Sequence, residues 1–321
     1  MAKTSVQVRV PATVGNFGGA LNCAALALDA PLNVKVTPRI DGHVGIRYFG
    51  ENGERVPRDR SNLVVRAMEA AMQLKGLKFT GADFEIYSSV PVAVGLGSST
   101  AAILAGVIAA DQLYDLSLDE KAIFDLAAIF KDRADNVRAA WWGGFITSTG
   151  EGTNLAYHRS VAPEDFSLTV ITPETSLQPV SAQRSANQDH AGHVIRAEAL
   201  REFFARPGDA AKLVSDEPLP PTCEKNVPGL EEALKVQAPG VLSVFVCGSG
   251  PAVGVLARED HSQAVRAVRE CFMHHGVAST LGEFRPTNAG ARDLNNLPLG
   301  VLLLPPQGQN ISLSALSSTR N

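Results

Sequence analysis

The densest chemistry in the sequence lies in Pro91-Val92-Ala93-Val94-Gly95-Leu96-Gly97-Ser98-Ser99-Thr100-Ala101. Alternation over Phe84 to Ser88 marks a strand before it, and Thr100 to Leu113 reads as a helix of small apolar residues after it. A strand, glycine turn and helix in this order aim free backbone N–H groups and the positive end of a helix dipole at one point, which suits an anion. Glycine lets the backbone approach a phosphate and take positive φ. The Ser98 and Ser99 hydroxyls add donors, and one of them suits Mg²⁺ as an oxygen ligand. The segment lacks the P-loop lysine, and its spacing fails the dinucleotide fingerprint. Taken alone, it reads as well as a turn ahead of a buried helix.

Two further loops concentrate glycine: Gly15 to Gly19 within Val10-Pro11-Ala12-Thr13-Val14-Gly15-Asn16-Phe17-Gly18-Gly19, and Gly248 to Gly250 within Cys247-Gly248-Ser249-Gly250-Pro251-Ala252. Asp135 stands in a polar, turn-like stretch from Asp132 to Asn136. It reads either as a proton acceptor or as a capping aspartate ahead of a helix through Val137 to Trp142. Arg133 and Arg184 read either as substrate-facing or as surface arginines. Trp141 and Trp142 read as core. His190, His193, His274 and His275 have no carboxylate or cysteine at ligand spacing and read as exposed.

These residues need elements to hold them. Val6 to Val10 alternates as a strand, Leu32 to Thr37 as another, and Gly42 to Phe49 reads as its hairpin partner. Ser61-Asn62 caps a helix that ends at Gly76. Ser117 with Glu120 reads as a capping box opening a helix to about Lys131. Phe145 to Ser148 is a short strand. A second unit starts near Phe166, with a strand over Leu168 to Thr172 and helices over Ala191 to Phe204, Asp209 to Val214 and Leu230 to Lys235. The hairpin Val241 to Val246 with Ala252 to Ala257 follows, then a helix over Ser262 to Gly276 and a last strand over Leu281 to Arg285. The mixed rhythm predicts an α+β fold. The 321 residues divide into domains at 1–165 and 166–305, with a frayed tail at 306–321.

Composition sets limits. Hydrophobic residues make up 45%, enough to build cores. With 29 basic and 33 acidic residues the net charge is −4, which argues against a nucleic-acid partner. The longest apolar run falls short of a membrane span, and the N-terminus opens directly into a strand, not a signal peptide. The four cysteines, Cys23, Cys223, Cys247 and Cys271, show no metal or disulfide spacing, so reduced thiols in a cytoplasm are expected.

Together the three glycine loops resemble the GHMP kinases. Pro91 to Ala101 is similar to the ATP-binding motif of that family, Val10 to Gly19 to its N-terminal substrate motif, and Cys247 to Ala252 to its C-terminal glycine motif, in the family's order. Within the family the homoserine kinase branch is the nearest pattern. Asp135-Asn136-Val137 followed by Ala140 and Gly143-Gly144, Thr287 to Arg292, Ser181 to Arg184 and Ser61 to Val64 each resemble one of its segments. The resemblance covers roughly residues 5 to 294. It implies an N-terminal domain like domain 2 of ribosomal protein S5, a ferredoxin-like C-terminal domain, and ATP-dependent phosphorylation of the L-homoserine hydroxyl, in threonine biosynthesis. It also implies ATP and Mg²⁺ as cofactors, a small-molecule substrate, and leaves a homodimer open.

Carried over by position, the resemblance puts Pro91 to Ala101 on the nucleotide phosphates, Asn62 near adenine and Ser99 on Mg²⁺. It puts Asn16, Asn22, Arg133, Gly248, Ser249, Gly250 and Arg292 around the acceptor, and Asp135, Asn136 and Arg184 at the chemistry. The sequence departs from the pattern on the acceptor side. Asn22 stands where the family has an aspartate, and Arg133 where it has a histidine. No carboxylate stands at the family's Mg²⁺ position, which leaves Asp132 or Asp135. Cys223 occupies the place of a carboxylate-gripping arginine, with Lys225 nearby. A kinase of another hydroxyl acceptor and a non-catalytic ligand-binding relative are the competing expectations.

Overall fold

The computed structural model describes residues 3–16, 20, 22–130, 133–149, 155–174, 190–205, 227–248, 250–258 and 260–295, with backbone only for 190–196, 205, 293 and 294. Its first sheet is built on one long central strand, β2 (Ala24–Pro38), between β1 (Val6–Gly15) on one side and β4 (Ala82–Ser88) and β5 (Phe145–Thr149) on the other. β3 (Val44–Phe49) and β6 (Ala156–Ser160) form its two ends. All pairings are antiparallel except β3 with β4.

That parallel pair corrects the expected hairpin. β4 occupies the place beside Leu32–Pro38 of β2, so β3 adds outside β4 instead. Arg39 bonds both Asp41 and Asp83, at 2.6 and 2.8 Å, and pins the connection that makes this turn.

Four helices lie along this unit: α1 (Leu63–Leu74), α2 (Ser98–Tyr114), α3 (Glu120–Ile129) and α4 (Ala134–Trp142). α2 is apolar on nearly every face, as a helix at the centre of a core must be. α3 begins later than the sequence suggests. Asp119, not Ser117, is its N-cap and accepts from Ala122 N at 2.8 Å, while Ser117 sits at φ 52°. The stretch around Asp135 is helix and not turn, because Arg133 takes the extended N-cap conformation one residue before α4.

The second sheet has the order β10 (Ser279–Phe284), β7 (Ser167–Pro173), β9 (Val253–Ala257), β8 (Val241–Val246), all antiparallel. With α5 (His190–Ala205) after β7 and α7 (Ser262–His274) after β9, this is the βαββαβ ferredoxin-like arrangement. α6 (Leu230–Leu234) and α7 cover one face of the sheet. A short α8 (Ala291–Asn295) returns to β1. The α+β reading holds. The helix read at Asp209 to Val214 and the tail at 306–321 lie outside the described residues.

The other face of the second sheet packs on the first. Leu26, Leu28 and Phe145 meet Phe166, Phe204, Phe245 and Leu256 in one buried cluster. Phe145 and Phe204 stack with ring centroids 4.0 Å apart. Each such ring contributes about 1.5–3 kcal/mol on burial. This seam fixes the Cys247 turn, at the end of β8, against the glycine loop before α2.

Candidate active site

Four chain segments converge: the C-terminal end of β1, the loop from Pro91 to Gly97, the first turn of α4, and the turn between β8 and β9. A bulge in the β1–β2 pairing at Pro11/Ala12 shapes the first of these. Before it, β1 alternates between buried and half-buried positions; after it, every residue to Gly15 is buried. A bulge breaks the alternation and re-aims side chains. Thr13 is thereby buried to 1% exposure beneath the glycine loop, and its backbone N–H donates to Leu96 O at 3.2 Å.

The loop itself is a backbone cradle. Ala93, Gly95 and Gly97 have φ of 64°, 86° and 67°, and Gly97 is the N-cap of α2. A Cβ on Gly95 would run into the Cys247 carbonyl, and one on Gly97 into the Thr13 hydroxyl. Glycine is required at both places by conformation and by space. Left-handed residues at alternate positions of a loop that leads into a helix N-terminus suit an anion, since free N–H groups gather there. Pro91, Val92 and Ala93 are half-buried, Val94, Leu96, Thr100 and Ala101 buried, Ser98 half-buried and Ser99 exposed.

Opposite the cradle lies a polar cluster of side chains. Asn16, at φ 74°, donates through Nδ2 to Gly248 O, and Gly248 N donates to Gly15 O at 3.4 Å. Gly250 N closes the turn onto Cys247 O at 2.8 Å. On α4, Asp135 and Asn136 are 1% and 7% exposed. Arg133 Nη2 meets Asp135 Oδ2 at 2.9 Å. Thr13 Oγ1, Asn16 Oδ1, Asp135 Oδ1 and Asn136 Oδ1 are all buried and accept no hydrogen bond from the described residues. Buried acceptors are costly to leave unsatisfied. Four such acceptors on converging segments suit a ligand rich in donors.

Cys23, Ser148 and Tyr157 border this cluster. Burial pushes the Cys23 thiol up, a hydrogen bond with the Ser148 side chain draws it down, and Asp135 raises it further. Burial likewise raises the Tyr157 phenol, while Arg138, lying 3.6 Å from its ring centroid, lowers it. Burial alone drives the Cys247 thiol far above the usual range, so it stays protonated.

Other expected residues have contacts of their own. Asn62 caps α1: its Oδ1 accepts from Val64 N at 3.0 Å and its Nδ2 donates to Pro57 O at 2.9 Å, so both ends of the amide are engaged internally. Arg292 sits 3.7 Å from Glu120, which also accepts from Trp141 and Trp142. That contact lies at the C-terminal end of α4, about 10 Å along the helix from Asp135. Asn22 is exposed, at φ 58°, in the turn before Cys23. His274 and His275 are exposed, as expected, and His275 meets Glu232 at the surface at 2.9 Å. Arg184, Ser249, Asp132, Cys223 and Lys225 lie outside the described residues. Thr13, Cys23 and Ser148 were missed. A lone hydroxyl inside an otherwise apolar strand was the one available signal, and only for Thr13.

The pattern of the GHMP kinases N terminal domain matches residues 62–144, and that of the GHMP kinases C terminal matches 197–274. The chain belongs to the GHMP kinases. Among its relatives, a homoserine kinase from Carboxydothermus hydrogenoformans is 30% identical across 91% of this chain and 97% of that one. Another from Natranaerobius thermophilus is 29% identical across 91% and 98%. A solved homoserine kinase from Cytophaga hutchinsonii superposes with a TM-score of 0.71 at 23% identity, covering 90% of this chain and 97% of that chain, and shares the fold.

No group of three or more His, Cys, Asp or Glu side chains is placed to hold a metal among the described residues. Magnesium at a phosphoryl-transfer site takes only one or two protein oxygens, with phosphate and water supplying the rest. The Ser98 and Ser99 hydroxyls at the start of α2 fit that lesser requirement. No helix is long and apolar enough to cross a membrane among the described residues.

Proposed function

We propose that the protein transfers the γ-phosphoryl group of ATP to the hydroxyl of L-homoserine, giving O-phospho-L-homoserine and ADP for threonine biosynthesis in the cytoplasm. The observation that carries this reading is the anion cradle of Gly95 to Ser98 set beside four buried, unsatisfied acceptors. The names of the relatives supply the acceptor. The same reading divides the chain near residue 165, between β6 and β7.

Phosphoryl transfer asks for positioning and charge neutralisation more than covalent help. The backbone from Gly95 to Thr100 holds the β- and γ-phosphates. Mg²⁺, when bound through Ser99, neutralises charge on those phosphates. Asn16, Asp135 and Asn136 accept hydrogen bonds from the ammonium and hydroxyl of homoserine and hold the hydroxyl in line with the γ-phosphorus. The new O–P bond forms as the bond to ADP breaks, and the hydroxyl proton leaves toward Asp135. A loose transition state makes modest demands on that base, so orientation is the larger part of its contribution. Gly248 and Gly250 close the pocket from the second sheet. Arg184 and Ser249 complete it on this reading.

The test is the purified protein with ATP, Mg²⁺ and L-homoserine, the product scored by mass. O-phosphohomoserine is the expected product. Product from a different hydroxyl acceptor, with none from homoserine, would keep the kinase and discard the substrate. Nucleotide binding with no turnover of any acceptor would leave a binding protein.

A further inference from the structure

Arg133 breaks the local rules of helix starts. It is the N-cap of α4, yet it forms no side-chain capping bond there. Ser, Thr, Asp and Asn are favoured at that position, and a cation beside the positive end of a helix is disfavoured. Where a residue contradicts its local environment, a function is the usual reason. One compensation visible among the described residues is the 2.9 Å contact from Arg133 Nη2 to Asp135 Oδ2. The guanidinium is only 23% exposed and the carboxylate 1%. A pair this dry is costly to separate, and each member holds the other in place.

The pair also has a direction. Arg133 Nη2 and Asn136 Oδ1 come within 3.0 and 3.3 Å of where a Cβ on Gly15 would stand. Arg133 therefore reaches over the C-terminal end of β1, between Asp135 and the turn that carries Asn16. With Oδ2 of Asp135 taken by the guanidinium, Oδ1 of the same carboxylate is the buried atom without a partner among the described residues. One oxygen is anchored and the other is left for a ligand.

We propose that Arg133 is a positioning residue for the acceptor: it fixes Asp135 through Oδ2 so that Oδ1 is presented to the donor group of the bound substrate. It also balances the carboxylate charge, so the pocket recognises its acceptor through hydrogen bonds to a held carboxylate and not through net negative charge. This rests on the kinase reading above. The nucleotide cradle, built from backbone on another segment, does not depend on the pair.

The experiment is a double-mutant cycle on the full chain, with R133M, R133Q, R133K, D135N and R133M/D135N. Acceptor KM and kcat are read with homoserine, and nucleotide Kd by calorimetry with a non-hydrolysable ATP analogue. Removing one partner of a buried charge pair predicts an acceptor kcat/KM lowered by about 30-fold or more in R133M, mostly through KM. R133Q falls between, and R133K recovers part of the loss. Nucleotide Kd stays within about threefold throughout, and R133M in the D135N background costs less than about threefold, the signature of coupled residues. Unchanged acceptor kinetics in R133M, an equal loss in the D135N background, or nucleotide affinity falling in step would each overturn the proposal. Should R133M fail to fold, R133Q decides by the same criteria. Wild-type protein that turns over no acceptor would overturn the kinase reading and this inference with it. Wild-type turnover with an unaffected R133M overturns the inference alone.

Discussion

The two halves of the site are made of different material. The nucleotide half is backbone: three left-handed residues in five positions, a helix N-terminus, and no charged side chain. The acceptor half is side chain: an arginine, an aspartate and two asparagines from the end of β1 and the start of α4, which are far apart in sequence, with Thr13 at the junction of the halves. A backbone cradle recognises what every nucleoside triphosphate shares. A side-chain pocket recognises what one acceptor has and others lack. The net charge of −4 fits this division, because local N–H groups and a metal, not a basic surface, must attract the polyanion.

If this division is right, substitutions in one half leave the other intact. The largest effect is expected from Asp135→Ala, which removes the held carboxylate: turnover with homoserine falls by about 10²–10⁴-fold. Steady-state kinetics check this, and a loss under tenfold would break the assignment. Next is Gly95→Val. Its Cβ has no room beside Cys247, and the strained φ costs about 1–3 kcal/mol. Thermal melting should fall accordingly, and calorimetry should show at least tenfold weaker binding of an ATP analogue. Thr13→Val keeps the shape and removes a buried hydroxyl at the junction of the halves. Steady-state kinetics should show a kcat lowered by about five- to tenfold, worth about 1–1.5 kcal/mol, with stability unchanged or slightly raised. Smaller still, Asn62→Ala removes a cap and costs about 1 kcal/mol of stability. Because the amide is engaged internally, nucleotide affinity should not change; a weakened Kd at full stability would restore Asn62 to the adenine site. Last, Arg292→Ala should alter kcat/KM by no more than about twofold, as for a half-exposed residue away from the chemistry.

The same division decides what the sequence made legible. The nucleotide half is contiguous, so Pro91 to Ala101 could be read as strand, glycine turn and helix without knowing the tertiary fold. In the second sheet the hairpin and α7 follow from local periodicity, while the strand order was legible only through the resemblance to a ferredoxin-like domain. The acceptor half was harder. Asp135 and Asn136 were visible as residues but read as turn, because Arg133 is an improbable N-cap and hid the start of α4. Thr13 was hidden by the bulge at Pro11/Ala12, which no local pattern announces. The parallel partner of β3 depends on β4 having taken the place beside β2, a competition between segments about 40 residues apart. β6 was missed because Ala156–Ser160 is a short, half-exposed end strand with little hydrophobic signal.

One crossed measurement bears most directly on the division: ATP-analogue Kd by calorimetry and homoserine kcat/KM, both in Asp135→Asn and in Gly97→Ala. Asp135→Asn should keep its nucleotide Kd within about threefold while acceptor kcat/KM falls by about 10²-fold or more. Gly97→Ala, whose new methyl meets the Thr13 hydroxyl, should lose nucleotide affinity by about tenfold or more. Both variants losing nucleotide and acceptor recognition in equal proportion would contradict the division.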